Sequence, residues 1–67
     1  MASLGEELPK EMARVRTVLG HYKEIGSAGI FGAMMIEQAL QRADQAAISG
    51  DVVAMIRCYE ELKSFSD

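Results

Sequence analysis

His21 and Cys58 are the only imidazole and the only thiol in this 67-residue chain. Within hydrogen-bond reach of each other they would make the base and nucleophile of a cysteine hydrolase. Their positions oppose that. His21 lies on the polar side of one amphipathic run, and Cys58 borders the apolar side of another, where it reads as a small core residue. Glu60 and Glu61 are adjacent, so on a helix their carboxylates point about 100° apart and cannot work as an acid–base pair. One His, one Cys and no ligand pair at i, i+4 make no zinc site. Met12, Met34, Met35 and Met55 fall on helix faces, where packing accounts for them without copper. We therefore expect no enzyme, no cofactor and no metal.

Gly26, Gly29 and Gly32 recur every three residues and lead into a helix. Free backbone N–H groups at such a start can hold a phosphate or carboxylate. The pattern is neither the dinucleotide fingerprint nor a Walker loop, and no Lys follows it. Turn geometry and close packing are the plainer account, and the one expected.

Two surfaces remain. Lys10, Arg14 and His21 line the outer side of the first helical run. Residues 8–25 hold four basic and two acidic side chains, a net +2 in a chain of −3 overall. A solvated face explains this line; the functional alternative is a small regulator docking an acidic protein or nucleic acid. Nucleic acid is the weaker case. The chain is acidic, and its last helix sets Arg57 and Lys63 against Asp51, Glu60 and Glu61, a poor recognition helix. The second surface is apolar. Ile30, Phe31 and Met34 stand away from the alanine face of the central helix, so that its first two turns are apolar nearly all round. A helix apolar on every side asks to be covered on every side.

The elements that must position these residues follow from periodicity. At 49% hydrophobic residues the chain is too apolar for disorder, yet it lacks Trp and has only two Phe and two Tyr. Its core must come from aliphatic side chains and methionine, and so small a core commonly leans on oligomerisation. Leu8, Met12, Val15, Leu19 and Tyr22 follow a 4-3-4-3 spacing, widened by Val18 and Ile25, which predicts a helix over about 8–25. Pro9 is placed at its first position, leaving 1–7 as a flexible segment before a single helical domain over 8–67. Gly26 ends this helix in the left-handed region and Ser27 caps the next. The second helix, about 28–49, buries Ala28, Gly32, Met35, Ile36, Ala39, Leu40, Ala43, Ala46 and Ala47. Its small residues at 39, 43 and 47 admit close approach of a neighbour. Gly50 and Asp51 repeat the stop-and-cap pattern. The third helix, about 52–65, buries Val52, Met55, Ile56, Tyr59 and Leu62, with Cys58 and Phe65 at the edge. The fold expected is all-α, a small three-helix antiparallel bundle.

The segment GDVVAMIRCYEELKSF, Gly50–Phe65, resembles the second helix of a tetratricopeptide repeat, with Gly-Asp at the turn and Met55-Ile56 and Tyr59 at the family's spacing. Met55 and Leu62 stand where that family prefers alanine, and only one partial copy is present, so the likeness implies shared turn chemistry. More loosely, IGSAGIFGAMMIEQALQRADQAAISGDVVAMIRCYEELK resembles small helical proteins of proteobacterial and prophage gene sets. That likeness implies a bacterial protein and brings no activity to any residue.

The longest apolar run, Ala28–Ile36, is nine residues, against about 20 for a membrane span. The N-terminus has glutamates where a secretory signal carries positive charge. With its one cysteine, a cytoplasmic setting away from membranes is expected. The functional expectation is a non-enzymatic interaction or assembly module. Its expected partner is a second copy in a homodimer or another protein, with Ile30, Phe31 and Met34 as the contact.

Overall fold

In a computed structural model, which describes residues 3–66, three α-helices and one short 3-10 segment make up nearly the whole chain. Helix α1 spans Leu4–Glu24, a 3-10 turn follows at Gly26–Gly29, α2 spans Ile30–Ser49 and α3 spans Val52–Lys63. Each helix packs against both others. The all-α bundle that periodicity predicts is what forms, with no strand among the described residues.

Helix α1 begins at Leu4, so Pro9 does not start it but lies inside. The physical reason is burial. Leu4 and Leu8 are one turn apart on the stripe that continues through Met12 and Val15, and Leu8 is fully buried. Pro9 has no N–H to give the carbonyl of Gly5, but both residues are exposed, so water can serve that carbonyl. Ser3 takes the N-cap position through its backbone alone: its carbonyl accepts from the N–H groups of Glu6 (3.0 Å) and Glu7 (2.8 Å). Those two carboxylates also suit the positive end of the helix dipole. Residues 4–7 are thus helical; Met1 and Ala2 lie outside the described residues.

The turn after α1 has Gly26 at φ 72°, as its position predicts. Ser27 does not cap α2. The chain makes a 3-10 turn first, and Gly29 holds the N-cap position with no side-chain cap bond. Gly29 is buried because the chain folds back so tightly that a Cβ there would overlap the carbonyl of Tyr22. A Cβ on Gly32 would meet the Tyr22 ring. Two of the three spaced glycines therefore exist for close approach.

At the other turn the expected chemistry appears in full. Gly50 has φ 71° and gives its N–H to the carbonyl of Ala46 at 3.0 Å. Asp51 Oδ1 accepts from the N–H of Ala54 at 3.2 Å, a side-chain N-cap.

The core sits where the helices meet: Leu8, Met12, Val15 and Val18 from α1, Ile36, Ala39, Leu40, Ala43 and Ala46 from α2, Cys58 and Leu62 from α3. Three expectations need correction. On α1, Val18 is buried, whereas Leu19 and Tyr22 are half-buried and Ile25 is exposed. On α2, Ala33 is buried while Met35 and Ala47 face solvent, as does Ala28 in the 3-10 turn before it. The buried arc is turned so that Ile36, Ala39, Ala43 and Ala46 form its centre. On α3, Val52 and Ile56 are exposed and Cys58 and Leu62 are the inward pair, with Ala54, Met55 and Tyr59 half-buried. Packing of α3 against both α1 and α2 sets its rotation, and that rotation outranks the greater hydrophobicity of Val52 and Ile56.

Ion pairs stitch the exposed seams. Lys23–Glu37 (3.1 Å) and Arg16–Asp44 (3.9 Å) join α1 to α2, and Arg42–Glu61 (2.8 Å) joins α2 to α3. Exposed pairs of this kind contribute at most about 1 kcal/mol each. Among the described residues no helix is long and apolar enough to cross a membrane.

Candidate interaction surface

Helix lengths decide which part of α2 is covered. At about 1.5 Å per residue, α2 is about 30 Å long and α3 about 18 Å. Because α3 doubles back from Ser49–Gly50 and its Glu61 reaches Arg42, α3 runs beside the second half of α2 and ends near its middle. The first two turns of α2 project past that end with α1 alone alongside. Ile30, Phe31 and Met34 are 56%, 76% and 53% exposed. Met35 and Ile25 are exposed beside them. The structure brings the three residues singled out from sequence together on one face, with a finished core behind them.

A second exposed apolar group lies at the far end of α2. Ile48 is 80% exposed, and Val52, Val53 and Ile56 on the neighbouring turn and helix are also open. Sequence reasoning assigned Val52 and Ile56 to the core and overlooked Ile48. A signal for Ile48 was present: it stands 18 residues after Ile30, five full helical turns, and so shares its side of α2. Between the two apolar ends the same side carries Gln38, Gln41 and Gln45, all exposed. The trough between α2 and α3 is open and bordered by Gln41, Arg42, Val53, Arg57 and Glu61, with Arg42 already held by Glu61.

The basic line of α1 is broken up by local bonds. Arg14 pairs with Glu11 through both Nε (3.0 Å) and Nη2 (2.8 Å). Nη2 also donates at 2.9 Å to the carbonyl of Leu62, at the end of α3; that carbonyl accepts from the N–H of Phe65 at 3.1 Å as well. Arg14 is thus a clasp between α1 and the end of α3. Its bond holds the Glu11 carboxyl below the usual carboxylate range, and partial burial opposes this only in part. Lys10 has Glu7 at 3.8 Å. His21 is exposed one turn before the end of α1.

The residues with potential chemistry are kept apart. Cys58 is buried in the core on α3 and His21 is exposed on α1. Burial first, and the nearby Glu61 carboxylate second, push the Cys58 thiol above its ordinary pKa, the opposite of what activates a nucleophilic cysteine. Among the described residues no group of three or more His, Cys, Asp or Glu side chains gathers.

No family model, curated protein or solved structure matches the chain.

Proposed function

We propose that the protein is a non-enzymatic helical assembly module that self-associates through the apolar start of α2. The observation that carries this is the exposure of Ile30, Phe31 and Met34 as one contiguous face. Large exposed apolar patches on small folded domains mark contact surfaces. The core behind the patch is already closed, so these side chains serve nothing inside the protomer. A cytoplasmic setting suits a protein whose one thiol is buried and needs no partner. The alternative, docking through Lys10, Arg14 and His21, draws little support, because Arg14 is engaged by Glu11 and Leu62.

Sedimentation of the Phe31→Asp variant tests the proposal. Phe31 contributes little to the protomer's core, so the variant should keep its helicity while its mass falls to that of a monomer. An unchanged mass would sink the proposed contact.

A further inference from the structure

We infer that the occupant of the α2 face is a second copy of this chain, docked with its α2 antiparallel, so that Phe31 meets the partner's Ile48 at both ends of the contact. This rests on the self-association proposed above and adds its geometry. The outward side of α2 has a finer order than an apolar patch. Phe31, Met34, Gln38, Gln41, Gln45 and Ile48 are all exposed and follow a 3-4-3-4-3 spacing, the spacing of a coiled-coil seam. The stripe is apolar at both ends and amide-bearing in the middle. Reversing one copy about a two-fold axis between Gln38 and Gln41 sets Phe31 on the partner's Ile48, Met34 on the partner's Gln45, and Gln38 on the partner's Gln41. Each Gln amide has both donors and an acceptor. The central pair can therefore hydrogen-bond twice by symmetry, and polar residues inside a seam are known to fix register. A parallel pairing would instead put each residue on its own copy and force Gln38, Gln41 and Gln45 to stack in three consecutive layers.

Charge favours a like partner as well. An isologous contact brings the same surface to itself, so any net charge on it would repel. The stripe has no charged residue. The charged residues that flank it are neutralised within the protomer: Glu37 by Lys23 at 3.1 Å, Asp44 by Arg16 at 3.9 Å, and Arg42 by Glu61 at 2.8 Å. The stripe itself offers an acidic or basic partner no charge to select it, Arg57 lying off it on α3 across the trough.

The test is a charge exchange read by sedimentation equilibrium of the full chain, over roughly 10–500 µM to span micromolar affinity, with circular dichroism confirming the fold. Both positions are exposed, so folding should survive. Phe31→Lys alone and Ile48→Glu alone should each weaken self-association about tenfold or more, because each buries an unpaired charge. The double variant, Phe31→Lys with Ile48→Glu, should recover most of that loss, since each introduced ammonium then meets a carboxylate on the other copy. A double variant no tighter than the weaker single one overturns the antiparallel register and leaves the self-association itself standing. If the unaltered chain stays monomeric throughout, or neither single substitution has an effect, the inference and the proposal beneath it both fail.

Discussion

The backbone carbonyl of Tyr22 occupies the space that a side chain on Gly29 would need. The tight return of the chain from α1 into α2 depends on that contact, and it sets the level at which the two helices lie side by side. Because the obstacle is main chain, it cannot swing away. By contrast, a Cβ on Gly20 would meet nothing within 4 Å.

Two alanine substitutions should therefore move stability in opposite directions. Gly29→Ala should cost about 1–3 kcal/mol, the range for overpacking a tight site. Gly20→Ala lies inside a helix with open space around it and should stabilise by roughly 0.5–1 kcal/mol. Urea unfolding of both variants checks this, and equal effects would show that the turn yields more easily than its geometry implies.

The rotation of α3 can be read from an alanine comparison. Leu62 is fully buried and Ile56 is exposed, though both are large aliphatic residues on one helix. Leu62→Ala should cost about 2–5 kcal/mol, whereas Ile56→Ala should stay within about 0.5 kcal/mol, as exposed substitutions do. A reversed order would mean that α3 is rotated to bury Ile56.

Glu11 gives the acid side of stability. The Arg14 bond lowers its folded pKa below the ordinary 4.5, so the unfolded chain binds the proton first as pH falls. The stabilisation is present in full above the unfolded value and is lost as pH drops through the lower folded one. Glu11→Gln should thus be less stable than the unaltered chain at pH 7, by about 1 kcal/mol, the upper end for a bidentate arginine–carboxylate pair at the protein's edge. The gap should close below pH 4.5. Unfolding curves at several pH values between these limits would show it, and a gap independent of pH would contradict the assignment.

How much of this was legible beforehand varies by element. Both chain reversals could be read from Gly26 and Gly50, because left-handed backbone is a local demand that glycine meets alone. The Asp51 cap was equally local. The start of α1 was not. Pro9 carries a local signal to begin there, and the burial of Leu8 with Leu4 behind it prevailed. The inner face of α3 was misjudged for a related reason. Hydrophobicity ranks Val52 and Ile56 above Cys58, but a 12-residue helix can turn about its axis, and only contact with α1 and α2 decides which residues point in.

The α2 surface divides in the same way. Its sequence alone specifies a seam-spaced outer stripe and an alanine-rich inner one, since helical periodicity places both without any neighbour. That Ile30, Phe31 and Met34 stay uncovered is decided by the tertiary structure. Both α1 and α3 pack on the alanine side, so the opposite side stays open along its length, a relation between helices far apart in the chain about which local periodicity carries no information.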